Sequence, residues 1–599
     1  MSTADGDGRP TDGDASASAL AAEAAQAAAA AEAAAVEARR RADELARAAA
    51  AEQQAGSTVP SGPAPDDPVP DDSGPPGPVP QDPVVEEVRA GYAFDGPVVE
   101  IGALVVDDVA VPAAPVRLPL GMLNRHGLVA GATGTGKTRT LQLLAEQVSA
   151  HGVPVFAADV KGDLSGIAVP GTPSERLTQR CADIGQTWQP LGSPTELLTL
   201  GGLGTGVPVR ASLESFGPLL LAKVLGLNET QESSLGLVFH HAREQGHRLV
   251  DLGDLRSVLT WLVGDGKAEL KELGGLSSAT VGVILRELVA FADQGADVFF
   301  GEPELDVADL LRRAPDGRGV VSLLEVPSVV DRPTLFSTFL LHLLRTLFAT
   351  LPEVGDVEKP RLVFFFDEAH LLFADASKDF LAQVTQTVRL IRSKGVGIVF
   401  VTQTPKDVPS DVLAQLGSRI QHQLRAHTPD DAKALRATVS TYPTSGYDLG
   451  ELLTRLAIGE AVVTVMDERG APTPVAWTRL RAPQGSMAPA PADVVAGLVA
   501  ASPLLPRYGT RVDPASATEA VEAARGAAAA RAEADRAARD AAEQAGRVAR
   551  EAARLDRGPR RRSRSRSSSA GRSTLDRAVG EASRTLAREL AKSLFRRRR

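Results

Sequence analysis

The sequence predicts an α/β fold with a parallel central sheet, and three observations carry that prediction. Four short apolar runs suit strands buried on both faces: His126–Ala130, Val153–Ala158, Leu362–Phe366 and Gly397–Thr402. Each is followed at its carboxyl end, where α/β sheets place their ligands, by a residue with chemistry to offer: Gly131, Asp159, Asp367 and Gln403. The first run also leads through a glycine-rich turn into Leu141, Leu144, Ala145 and Val148 at helical spacing.

Residues 1–90 precede this pattern. Ala19 to Gln54 is almost entirely Ala, Glu and Arg, which predicts a helix without a sizeable apolar stripe, interrupted too often by charge to span a membrane. Ser57 to Asp82, rich in Pro, Gly and Asp, predicts a disordered linker. No charged n-region, apolar h-region and cleavage site open the chain, and the single cysteine, Cys181, excludes an internal disulfide. Both point to the cytoplasm.

The turn Gly131-Ala132-Thr133-Gly134-Thr135-Gly136-Lys137-Thr138 stands between strand and helix, the setting of a phosphate-binding loop. Its glycines let backbone amides close around phosphate oxygens, and the helix N-terminus adds positive potential. Lys137 is expected to reach the β- and γ-phosphates of ATP, and the Thr138 hydroxyl to bind Mg²⁺. The second run ends in Asp159, followed by Lys161, Gly162 and Asp163. Asp159 is read either as a contact to the bound nucleotide's water or Mg²⁺ shell, or as the cap of its own turn.

Residues 172–314 carry helical periodicity (Leu219, Leu220, Val224 and Leu227, then Leu235, Val238, Phe239 and Ala242) and predict a largely helical insertion. Gly319–Leu324 and Phe339–Leu351 return to the sheet as strand and helix. Five apolar residues from Leu362 then deliver Asp367 and Glu368. Asp367 suits a carboxylate holding Mg²⁺, and Glu368 the base that activates water. His370 has no metal partner at suitable spacing and reads as structural or coupling. Ile420–Ala426 is expected to be the last core strand, Ala461–Val465 with Thr473–Leu480 a β-ribbon, and the core to end near Pro483.

The chain carries a net charge of −10 and a pI of about 5.6, which argues against a globally basic nucleic-acid binder. Charge is nonetheless segregated. Ala517–Ala553 predicts an exposed or self-associating Ala/Arg/Glu helix, Arg557–Arg572 is an Arg/Ser run, and Arg596–Arg599 closes the chain. Leu575, Val579, Ala582, Leu586, Leu590 and Leu594 form the stripe of a basic amphipathic helix. Three readings of that helix compete: packing on protein, nonspecific phosphate contact, and membrane-surface contact.

The ordered set Asn124–Thr138, Asp159–Ser165, Gly226–Gln231, Phe299–Pro303, Phe366–His370, Arg389–Gly397 and Val401–Pro405 resembles the HerA-like ATPases of the HerA/FtsK branch of P-loop motors. The likeness spans about Gly91 to Met487. It implies a RecA-like P-loop NTPase fold of the additional-strand type, a homo-hexameric ring, and ATP-driven DNA translocation or unwinding. In that family a polar residue at the tip of the additional strand senses the γ-phosphate, a place matched by Gln403. An arginine from the neighbouring subunit completes the site. Arg389 and Arg392 match the stretch that supplies it, Arg392 better, although the Gly of the family's Gly-Arg-Lys pattern is missing. Arg419 and Arg425 are further candidates, and helix-surface ion pairs are the alternative role for Arg389 and Arg392. With the flanking compositions, the expected division is a tail at 1–90, an ATPase domain at 91–487, a linker and helix at 488–572, and a basic helix at 573–599. Asp-Glu-Ala-His alone also suggests a superfamily-two helicase, which fails for want of a second RecA-like domain. Two functions stay open: a DNA translocase or helicase, with a nuclease among its partners, and an ATP-driven remodeller of a protein partner without DNA.

Overall fold

The computed structural model describes residues 82–267, 276–325, 333–355, 357–373 and 378–555. The readings of the N-terminal Ala-rich helix, the linker up to Gln81, the Arg/Ser run and the basic C-terminal helix fall outside them.

Strands β1 (Val98–Val106), β2 (Val109–Pro119), β3 (Gly127–Ala130), β4 (Val155–Asp159), β5 (Thr195–Leu200) and β6 (Val207–Val209) lie in one sheet. They are joined there by β7 (Val321–Glu325), β8 (Leu362–Phe366), β9 (Val396–Thr402), β10 (Ser418–Gln421), β11 (Glu460–Thr464) and β12 (Ala476–Leu480). The order is β2-β1-β12-β11-β10-β3-β9-β8-β4-β7-β5-β6. From β10 to β6 every pairing is parallel, and from β10 outward through β11, β12, β1 and β2 every pairing is antiparallel. β9 follows β8 in sequence yet lies between it and β3, which is the added strand expected of this fold.

β8 shows why the apolar runs make this sheet. Phe364 and Phe366 enter the core on one face, Val363 and Phe365 the core on the other, so a strand with no polar alternation is buried on both sides. Phe364 lies 4.4 Å from the Phe156 ring and Phe366 stacks on Phe400 at 5.3 Å, locking β4, β8 and β9 together. Helix α1 (Pro83–Gly91) packs against β2. Helix α2 (Lys137–Ala150) follows the glycine-rich turn and buries Leu141, Leu144 and Val148 in the face shared with Val363 and Phe365. The opposite face receives α3 (Glu229–Glu244), α4 (Leu252–Val263), α5 (Ser278–Asp293), α6 (Pro333–Thr350) and α7 (Lys378–Ile391).

Two expectations need correction, and the sheet holds strands that the sequence reading did not place. Within 172–314, β5 and β6 extend the parallel sheet among the helices, through long-range pairing with β7 that helical periodicity does not register. The segment before the glycine-rich turn forms the β1–β2 hairpin at one sheet edge. The last parallel strand is Ser418–Gln421, and the chain leaves it before His422. The folded body does not end near Pro483. Ala492–Ala500 follows, packed on β5, and then Tyr508, which is fully buried and donates from its hydroxyl to Asp309 Oδ2 at 2.6 Å while accepting from Asp306 N. The long helix α8 (Ala517–Leu555) is anchored only at its start, where Ala517 and Val521 are buried and Thr518 donates to Asp254; the rest is exposed, as its composition predicts.

Candidate nucleotide-binding site

The site is built from the carboxyl ends of adjacent strands. Gly131 N donates to Thr402 O at 3.2 Å and Ala132 N to Gln423 O at 2.8 Å, so the loop after β3 is fastened to the ends of β9 and β10. Gly134 and Gly136 take φ of +85° and +111°, which a side chain would strain, and α2 begins at Lys137. Thr133 and Gly134 are exposed, Thr138 is half-buried in the first helical turn, and Thr135 folds inward to donate to Ala132 O at 2.8 Å. Lys137 Nζ turns back over the loop, donating to Gly131 O at 2.7 Å and Ala132 O at 3.2 Å. Burial lowers its pKa, opposed by the nearby Glu368 and Asp367 carboxylates. Phosphate loop and acidic pair therefore face one another.

Asp367 is almost wholly buried. Its Oδ1 accepts from Glu368 N at 2.9 Å, while Oδ2 has no hydrogen-bond partner among the described residues. Burial first, then the Glu368 charge, pushes its carboxyl up to about 7. A buried carboxylate oxygen without a partner costs free energy unless a cation meets it, so the residue fits a divalent ion. With Thr138 across the cleft it offers the hard oxygen ligands that Mg²⁺ takes beside phosphate oxygens. Glu368 adopts φ +48°, a left-handed conformation uncommon outside glycine. Its Oε1 lies 2.6 Å from Lys161 Nζ, and His370 Nδ1 lies 3.3 Å from Oε2 without hydrogen-bond geometry. Burial alone raises the Glu368 carboxyl, but Lys161 outweighs it and holds the group below its ordinary value.

The remaining expected residues divide. Gln403 stands exposed at the tip of β9 and lines, with Ala132, Thr133, Lys406 and Arg425, a cleft of about 210 Å³. Asp159 is fully buried, and its carboxylate accepts backbone N–H from Lys161, Gly162 and Leu164 at 2.7–3.2 Å. Of its two readings the turn cap is the one this geometry carries. Arg389 is exposed on α7 and Arg392 follows that helix. Both precede the amino end of β9, so the strand's length, roughly 20 Å, separates them from this chain's own loop. Arg425 Nη2 donates to Thr133 O at 3.2 Å, and Arg419 is engaged with Thr441 and the Tyr442 ring.

Residues not singled out from sequence complete the cradle. His422 is fully buried beneath the loop, its Nε2 2.9 Å from Thr140 Oγ1, and burial lowers its pKa to about 4, so the ring is neutral. A Cβ on Gly131 would come within 2.4 Å of His422 Cβ, which makes that glycine obligatory for close packing. Gly459 N donates to Thr135 O at 3.1 Å, and Arg180 fixes Gly459 O at 2.6 Å. These contacts link positions hundreds of residues apart, and no local pattern announces them.

The helicase HerA-like C-terminal family model matches residues 107–599. The chain is 23% identical over 385 residues to the DNA double-strand break repair helicase HerA of Saccharolobus solfataricus, covering 63% of this chain and 68% of that one. It is 24% identical over 356 residues to a probable helicase of Methanocaldococcus jannaschii, covering 57% and 64%, so the shared part is about two thirds of these relatives. Among solved structures it is similar to the bacterial conjugative coupling protein TrwB, with TM-score 0.44, 16% identity and coverage of 68% of this chain and 93% of that one. The chain belongs to the helicase HerA-like C-terminal family, and it is an ATPase of that family.

Proposed function

We propose that the protein is an Mg²⁺-dependent ATPase motor acting on DNA as a hexameric ring. The observation that carries the catalytic part is the convergence of Lys137, Asp367 with its partnerless Oδ2, and Glu368 beside one glycine-rich loop. The DNA part is supported by the relatives, which are named as helicases.

On this reading the amides of Ala132–Thr138 hold the triphosphate, and Lys137 exchanges Gly131 O and Ala132 O for the β- and γ-phosphates. Thr138 and Asp367 hold Mg²⁺, which neutralises charge on the phosphate oxygens when bound. Glu368 takes the proton of the attacking water, and Gln403 at the strand tip orients that water against the γ-phosphate. Arg392 serves the neighbouring subunit's site, Arg389 standing second, because neither reaches its own loop. A guanidinium supplied across an interface stabilises charge developing on the transferred phosphoryl group and makes turnover depend on the neighbour's position.

ATP turnover measured against double-stranded DNA at several salt concentrations tests the reading. Stimulation of several-fold is expected, fading as salt rises, because phosphate contacts are released by counterions. Turnover indifferent to DNA at every ionic strength would favour the remodelling of a protein partner instead.

A further inference from the structure

The ion pair between Lys161 and Glu368 is not accounted for by the Mg²⁺ and phosphate contacts. Lys161 stands in the turn after β4, and three features fix that turn. Asp159 accepts backbone N–H from Lys161 itself, from Gly162 and from Leu164. Gly162 takes a φ of +73°. Asp159 is fully buried beneath it. The Lys161 ammonium is thus carried on a rigid base, and its own side chain is half exposed toward the cleft. It meets one oxygen of Glu368, Oε1, at 2.6 Å. The other, Oε2, is buried and has no hydrogen-bond partner among the described residues, with the His370 ring nearby at 3.3 Å.

We infer that Lys161 is a positioning residue for hydrolysis: its ammonium on Oε1, with the His370 ring beside Oε2, holds the Glu368 carboxylate in one orientation at the strand end. A carboxylate on a residue with left-handed backbone has several rotamers open to it, and only a held one keeps a single lone pair aimed at one place. The arrangement parallels a general base oriented by a third group bonded to its far side. Lys161 also partly offsets the Glu368 charge that acts on the neighbouring Asp367. Once the carboxylate has taken the proton, the ion pair becomes a hydrogen bond from the Lys161 ammonium to a neutral carboxyl. This inference rests on the assignment of Glu368 as base in the proposed function.

The test uses the full chain with Lys161→Met and Lys161→Arg. Lys161→Met is expected to lower kcat by about 10²-fold, the scale of a misplaced base, with KM for ATP within about threefold of wild type. Lys161→Arg, which keeps a cation within reach, is expected to recover at least a third of the lost rate. Unchanged or increased kcat in Lys161→Met, or a loss confined to KM, overturns the inference. A second measurement requires no turnover: unfolding midpoints of nucleotide-free Lys161→Met, Glu368→Gln and the double variant. Non-additive shifts are expected, since removal of either partner strands the other. Additive shifts mean the pair is not formed, which also overturns it. Wild-type protein that binds ATP but never hydrolyses it would instead count against the proposed function, and the stability cycle would still decide the ion pair.

Discussion

The two ends of β9 make opposite demands on the molecule. At its carboxyl end everything chemical lies within one chain: Thr402 O holds the phosphate loop, and Lys137, Lys161, Asp367 and Glu368 act on one another across the cleft. At its amino end His126 ties the strand down, accepting from Ile398 N at 3.0 Å and donating to Val388 O at 2.7 Å, with burial lowering its pKa to about 4 so that it stays neutral. That staple sets the end of α7 and with it Arg389 and Arg392, yet no triphosphate site of the same chain lies within their reach. One end is a cradle for nucleotide; the other carries Arg389 on the exposed face of α7 and Arg392 just after it. On the proposed reading binding resides in one chain and turnover in a pair, which makes the two separable properties.

The largest effects should fall on turnover at both ends. Arg392→Ala is expected to lower kcat by about 10³-fold or more with ATP affinity nearly unchanged. Glu368→Gln is expected to lower it by about 10²–10⁴-fold, again with affinity kept. Nucleotide affinity by fluorescent-analogue titration, beside steady-state kinetics, checks both. Equal loss of affinity in Arg392→Ala would erase the distinction between the two ends.

A smaller effect belongs to the cradle alone. The folded Asp367 carboxyl, at about 7, lies above its ordinary value of 3.8, so folding favours the protonated form. The stability this contributes is complete below pH 4 and is lost as pH rises through about 7. Nucleotide-free protein should therefore lose about 1 kcal/mol between pH 6 and pH 8, visible as a falling urea midpoint. Asp367→Asn should flatten the slope, and Mg²⁺ with nucleotide should oppose it. A wild-type midpoint no more pH-dependent than that of Asp367→Asn would mean that the oxygen is not buried without a partner.

The same contrast explains what could be read beforehand. The phosphate loop, Asp367, Glu368 and Gln403 stand at strand ends, and a strand's apolar run and its terminal residue are adjacent in sequence. Their elements were therefore legible, as was the added strand once Val401-Thr402-Gln403 was recognised. β5 and β6 escaped because they lie within a helix-rich window, and burial against β7 is a long-range property. His422, Gly459 and Arg180 escaped for the same reason: each supports the loop from a remote segment. Asp159 was ambiguous in sequence because a carboxylate after a strand serves a turn or a ligand equally well. Only the positions of three backbone amides separate the two.

The central claim, a site shared between adjoining copies, is tested most directly by mixing two inactive proteins. Arg392→Ala subunits retain a complete cradle, and Glu368→Gln subunits retain the arginine. Combined in equal amounts and allowed to reassemble, they should recover ATP turnover well above either alone, because some interfaces pair an intact Glu368 with an intact Arg392. If the mixture stays as inactive as its components at every ratio, or if Arg392→Ala alone turns over ATP like the wild type, Arg392 does not complete a neighbour's site.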